Sequence, residues 1–251
     1  MRLRIDPGRP GSVVVGAVAL GVAAGILAAL VLTVTAEPSI SEAIRIEQAR
    51  AASPTEHAEP VVSRGAQKGV GLFGAYALAG AAFGLLFAAG FVGARRGRVD
   101  PFRRAVVVGA VLAGALTVSP WLKYPPNPPA VGDPATLGRR QTLYVLLLVV
   151  SALVLMGAAH VSRRLREAGW PEPRRVAFVV GVVIVPLAVA YTLLPPAPDP
   201  VTVPATLVWR FRLASLGGNL ALWSALTVGL GVLATEHRAP APNAASVGTA
   251  R

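Results

Sequence analysis

The chain predicts an all-α fold, a polytopic transmembrane bundle of six helices, and three observations predict it. Six stretches without Asp, Glu, Lys or Arg run over 11–35, 69–94, 105–122, 141–159, 176–198 and 213–235. A helix rises about 1.5 Å per residue and the hydrocarbon core is roughly 30 Å thick, so about 20 apolar residues cross it. Composition agrees, with 54% hydrophobic and 14% charged residues, where a soluble domain carries about a quarter charged. The arginines also flank the apolar runs instead of interrupting them, which is the pattern of topology signals and lipid-facing ends.

Taken in order, the helices fall at about 11–35, 69–94, 105–122, 141–162, 176–196 and 213–235, paired as three hairpins within one transmembrane domain, 1–238. The first run follows a basic start, and Val34-Thr35-Ala36 has the look of a signal-peptidase site. A signal core spans about 7–15 residues, however, and this run is longer, so an uncleaved helix is expected. The outer loop 36–68 comes next. In it Ser39-Ile40-Ser41-Glu42 has capping-box spacing, which predicts a short helix through Arg50 with Ile40, Ala43, Ile44 and Glu47 along one side. Pro186 should kink or locally open the fifth helix. Residues 239–251 are Pro, Ala, Asn, Ser and Gly with little to bury, and read as a disordered cytoplasmic tail.

Charge sets the orientation. With a cytoplasmic N-terminus, 15 of the 24 basic residues fall inside, among them Arg2, Arg4, Arg9, Arg103, Arg104, Arg163 and Arg164. The acids Glu37, Glu42, Glu47, Glu56, Glu59, Asp133 and Asp199 fall outside. Both termini are therefore expected to be cytoplasmic. The net charge of +12 points to this arrangement and to anionic lipid heads rather than to nucleic acid. Abundant Gly and Ala suit helices that approach closely in lipid.

One repeat stands out. Pro134-Ala135-Thr136-Leu137 recurs as Pro204-Ala205-Thr206-Leu207, and the same offset superposes Arg140 on Arg210. Repeats of this kind often frame a transport path.

Candidate chemistry gathers on the outer side. Four prolines stiffen the loop from Lys123 and Tyr124 to Asp133, which can present Asn127 and Asp133 as oxygen ligands or merely join two helices. Glu37, Glu47, Asn127 and Asp133 form a candidate cation entrance, with Glu37, Glu47 and Asp133 as metal-ligating carboxylates and with Asp199 and His57 as weaker members. The competing reading makes these acids interfacial charges neutralised by Arg64, Arg139, Arg140, Arg210 or Arg212. His160 and Asn219 read as hydrogen-bonded residues. No zinc-protease, nucleophile-elbow or phosphate-loop motif occurs, so no catalytic residue is assigned and no enzyme is expected. With no Cys and three His, a tight, all-protein soft-metal site is not expected.

The stretches Leu122-Lys123-Tyr124-Pro125, Asn127-Pro128-Pro129-Ala130-Val131-Gly132-Asp133 and Gly138-Arg139-Arg140 resemble the CbtA family of cobalt transporter subunits. So does the run from Pro204 through Trp209-Arg210-Phe211-Arg212 to Gly217, and so do Glu37-Pro38, Glu47 and Val62-Ser63-Arg64-Gly65. The resemblance spans Arg2 to Glu236. It implies a subunit for uptake of cobalt(II) or a similar divalent cation, linked to cobalamin metabolism, in the cytoplasmic membrane. It further implies no permanently bound cofactor and a small single-helix CbtB-type partner with a His-rich end. The alternative from another class is an accessory membrane protein with no translocation of its own. The family is described with five helices where this chain reads as six.

Overall fold

The computed structural model describes residues 5–50, 63–94, 100–129, 131–196 and 201–236. Six of its helices are long and apolar enough to span a membrane. They are α1 (Pro10–Thr35), α3 (Arg64–Gly93), α4 (Pro101–Lys123), α5 (Leu137–Glu167), α6 (Glu172–Leu193) and α7 (Ala205–Glu236), with the short α2 (Glu37–Arg50) between the first two. Several run beyond their apolar stretches. Thus α3 takes in Arg64 and Lys68, α5 takes in Arg139 and Arg140, and α7 takes in Arg210 and Arg212. Charged first turns are stable at the membrane interface, where long side chains reach water.

Local chemistry sets the boundaries. Pro101 opens α4 behind Asp100, whose carboxylate accepts the Arg103 amide at 2.9 Å, an ordinary N-cap. Between α5 and α6, Gly169 takes φ +77° and the Trp170 amide reaches back to the Leu165 carbonyl; this is a glycine-terminated helix end. Residues 114–118 of α4 form a wide π turn just before Pro120. Because Pro120 has no N–H to give, the preceding turn must find another register. The chain stays helical through Pro186 in α6.

α2 departs from expectation. It starts at Glu37 directly after α1, so Ser39 lies inside the helix and buried instead of capping it. Glu42 turns to Arg45, at 2.6 Å. The buried side carries Ser39 and Ala43, with Ile46 against the same small core, which leaves Glu47 exposed. The expected placement of Glu47 on the apolar side is thereby corrected: Ile46, one position away, takes the inward direction.

Packing divides the bundle in two. α1, α3, α4 and α7 share one core built on Phe87, Phe91, Leu222, Leu226 and Leu230, none of them exposed. In the second group α5 packs on α6 and on the latter half of α4, while α6 has no buried residue at all. The repeated segments therefore lead into unlike environments, since α5 is peripheral and α7 central. A second, smaller core at the far end joins Ala43, Val131, Val203, Leu207 and Val208. It ties α2 and the proline loop to the start of α7.

Candidate functional site

Two open cavities lie at the end of the bundle opposite residues 5–10. The first, about 410 Å³, is bounded by the end of α1, the start of α2, the first turns of α3 and α7. Glu37 is its only lining acid among the described residues. The position follows from the chain: α1 ends at Thr35, Pro38 cannot continue its hydrogen bonding, and Glu37 lands on the first turn of α2, where the helix dipole favours a carboxylate.

Glu37 is only 17% exposed and is held by two cations through one oxygen: Arg64 Nη2 at 2.7 Å and Lys68 Nζ at 2.8 Å. The Ser41 hydroxyl donates to the same oxygen at 3.1 Å. Arg64 and Lys68 reach it together because they sit four apart on α3. Burial alone would push the Glu37 carboxyl up. Hydrogen bonds from Lys68 and Ser41, with the charges of Arg64 and Lys68, outweigh it and hold the group below its ordinary value. Tyr76 and Ser215 also line the cavity, and the Ser215 carbonyl accepts the Asn219 side-chain amide at 2.8 Å.

The second cavity, about 490 Å³, lies between the proline loop and the first turns of α5. Asn127, Arg140, Gln141 and Tyr144 face it beside apolar Leu137 and Val145. The loop's backbone is shaped around Arg140: Gly132 takes φ +111°, and a methyl group there would press on the guanidinium. Asp133 is turned to local work. Its carboxylate accepts the Ala135 amide at 2.8 Å, and its carbonyl accepts the Thr136 hydroxyl at 2.7 Å and Arg140 Nη2 at 3.4 Å. The Asn127 side-chain carbonyl accepts Arg212 Nη2 at 2.7 Å.

Lys123 and Tyr124 cap α6. Pro195 has no N–H, so the Tyr191 carbonyl lacks its helical donor; Lys123 Nζ supplies one at 2.7 Å. The Tyr124 hydroxyl donates to the Pro195 carbonyl at 2.6 Å. Burial raises the Tyr124 phenol despite the opposing charge of Arg139, so it remains a donor at neutral pH. Next to this cap, the Ser119 and Ser151 hydroxyls lie 2.7 Å apart, and Tyr191 donates to the Ser119 carbonyl at 2.6 Å.

The predicted entrance residues are thus distributed, not pooled. Glu37 lines one cavity and Asn127 the other, Glu47 is exposed on α2, and Asp133 belongs to the turn before α5. Among the described residues no three of His, Asp and Glu gather to hold a metal ion. Arg139 and Arg210 are exposed; His57 and Asp199 lie outside the described residues. Sequence reasoning missed Lys68 as a Glu37 partner, although its spacing from Arg64 carried the signal. It also missed Tyr191, which nothing in its neighbourhood marked.

A family model described as "Probable cobalt transporter subunit (CbtA)" matches residues 11–235. No curated protein and no solved structure matches the chain. That match covers all six spanning helices, the proline loop and the Glu37 cavity, and on it the chain, a multi-pass membrane protein, belongs to the CbtA family.

Proposed function

We propose that this protein is the membrane-embedded subunit of a cobalt(II) uptake system, non-catalytic, and that Glu37 is the first carboxylate the cation meets. The observation that carries this reading is the state of Glu37. It is a largely buried acid at the mouth of a cavity, and both of its cationic partners are flexible side chains entering from the neighbouring helix. An arriving divalent cation competes for the same oxygen, and Arg64 and Lys68 can swing toward water as it binds. The carboxylate is then never left bare in a poorly solvated place. Oxygen donors from one acid and its neighbours suit weak capture at an entrance, not storage. In this reading the cavities open on the outer side of the cytoplasmic membrane, and both termini are cytoplasmic. A CbtB-type partner with a His-rich end supplies the tighter ligands that this chain lacks, and the system serves cobalamin metabolism.

The accessory reading has its own support, since Glu37 is neutralised twice over and the Asn127 carbonyl is taken by Arg212. Uptake of radioactive cobalt separates the two. Cells expressing this chain with a CbtB-type partner should accumulate more cobalt than cells expressing the partner alone. Glu37→Gln should abolish most of that difference while membrane insertion stays intact. If the chain adds no uptake in any pairing, the accessory reading replaces transport. If Glu37→Gln transports as well as the parent, Glu37 is removed from the path.

A further inference from the structure

We infer that the Lys68 ammonium is a tethered occupant of the cation site on Glu37, and that its displacement admits a divalent cation and turns a monovalent one away. The inference rests on the reading of Glu37 as the first carboxylate the cation meets, and it gives Lys68 the role of a selectivity residue for that site.

The ammonium already sits as a bound cation would. Lys68 Nζ lies 2.8 Å from Glu37 Oε1 and donates to Ser41 Oγ at 3.2 Å. Glu37 and Ser41 are one helical turn apart on α2, so one element sets both oxygens. A carboxylate and a hydroxyl are oxygen donors of the kind hard cations take. Arg64, Lys68 and Ser41 all use Oε1, and Oε2 carries no hydrogen bond among the described residues. A cation entering from the cavity therefore has an oxygen to meet before the ammonium has left.

The two basic partners are not equivalent. Arg64 is bonded in two directions, to Glu37 through Nη2 at 2.7 Å and to the Gln67 side-chain carbonyl through Nη1 at 3.1 Å. A planar guanidinium held by both arms is the harder one to turn away. Lys68 is a compact charge on a flexible stem, 41% exposed, with Glu37 and Ser41 as its partners. Its backbone is also less constrained. Residues 67–71 form a wide π turn that leaves helical geometry at Gly69, with φ −91° and ψ −105°, and no residue from Arg64 to Gly71 is buried. Lys68 thus turns to water without loss of packing, and Arg64 stays.

Selectivity follows from the exchange. The tether gives the ammonium an effective concentration on the order of millimolar at Oε1. A sodium or potassium ion brings no more charge than the ammonium it must displace. A divalent ion brings twice as much and doubles the attraction at a given distance. Arg64, left in place, repels the captured ion and keeps its binding weak, as an entrance requires.

The test uses the full-length protein in mild detergent at fixed ionic strength. The chain has two lysines, Lys68 and Lys123, so acetylation by an active ester, followed by mass spectrometry, reads Lys68 with Lys123 as internal reference. Equilibrium dialysis measures cobalt(II) binding separately. Saturating cobalt(II) should speed Lys68 acetylation by about fivefold, the weight of one partly exposed ion pair. Lys123 should keep its rate, and sodium should change neither. In Glu37→Gln, Lys68 should be reactive without metal and indifferent to it. Lys68→Met should bind cobalt(II) about fivefold more tightly and become sensitive to competing sodium. Cobalt(II) bound through Glu37 with Lys68 reactivity unmoved would overturn the displacement and leave the reading of Glu37 standing. An equal rise with sodium would overturn the selectivity role. Binding that is absent, or undiminished in Glu37→Gln, would overturn both the reading and the inference.

Discussion

The pairs α1–α3 and α5–α6 are built from similar apolar residues, yet they hold together by different means. On α1, Gly21 and Gly25 are one turn apart; on α3, so are Gly80 and Gly84. A methyl group placed on Gly21 would run into the Gly80 carbonyl, and one on Gly80 into the Gly21 carbonyl. Gly25 faces the Tyr76 carbonyl and Gly84 the Ala17 carbonyl in the same way. The two backbones touch along a seam. In the other pair, Gly157 of α5 and Gly181 of α6 face open space, and α6 buries nothing. That pair joins the bundle through α5, whose Leu147 and Ala158 are buried, and through a set of polar ties: the Ser119–Ser151 contact, Tyr191 on the Ser119 carbonyl, and the Lys123 and Tyr124 caps. Where lipid is as apolar as leucine, hydrophobicity cannot choose partners. Close backbone approach can, and so can buried hydrogen bonds.

Substitution of the glycines tests this contrast most severely. Gly80→Leu should destabilise the protein by about 3 kcal/mol or more, because the obstacle is backbone that has no rotamer to change. Gly181→Leu should stay within about 0.5 kcal/mol. Denaturant unfolding in mixed micelles measures both, and equal losses would dissolve the distinction between seam and periphery.

Removing the cap comes next. Lys123→Met leaves the Tyr191 carbonyl without a donor at the end of α6, at a cost of about 1.5 kcal/mol. The loss should be local. Hydrogen exchange should rise in the last turn of α6 while α1 and α3 keep their protection, whereas uniform acceleration would mean that the hairpin and the core unfold as one unit.

These two tests also mark what the sequence could and could not convey. The spanning helices were legible because a charge-free run of about 20 residues has few uses outside a membrane. Their ends were not, because Arg64, Lys68, Arg139, Arg140, Arg210 and Arg212 lie on helical first turns that a charge-based boundary excludes. The site was half legible. Glu37, Arg64, Asn127 and Arg212 were singled out, but which acid meets which arginine depends on how α2 leaves α1: it starts at Glu37, three residues before the expected Ile40, with Ser39 inward and Glu47 outward. Lys123 and Tyr124 stood out as a motif, yet their work as a cap appears only once Pro195 is brought beside them from seventy residues away.

Ser151→Ala weighs the polar ties singly. Hydrogen bonds between spanning helices average about 0.6 kcal/mol, because the separated helices find other partners in the membrane. A comparable loss is expected here, and Ser119→Ala combined with it should add little, since both remove one contact. A loss as large as that of Gly80→Leu would make the staple, not the seam, the dominant constraint.

An effect of similar, small size is expected at the Glu37 cluster, which couples the core to α2 from outside the seam. Its carboxyl is held below the ordinary value of 4.5, so its contribution to stability is fully present above that value and is lost as pH falls through the lower, folded one. The unfolding midpoint should therefore be flat from about pH 8 to about pH 5 and decline only in stronger acid. At neutral pH, Glu37→Gln should remove no more than about 1 kcal/mol, because Arg64 and Lys68 are each more than a third exposed and water takes over part of the pairing. The informative reading is the difference between parent and variant across the acid limb, which should close as the parent's carboxyl protonates. Glu42→Gln provides the control. The Glu42 carboxyl is also held low, chiefly by its hydrogen bond from Arg45, but its side chain is 43% exposed against 17% for Glu37, so its removal should leave the acid limb almost unchanged. If Glu42→Gln flattened the limb as much as Glu37→Gln, the burial of Glu37 would have no energetic consequence. The cavity it lines would then be an ordinary stretch of interface.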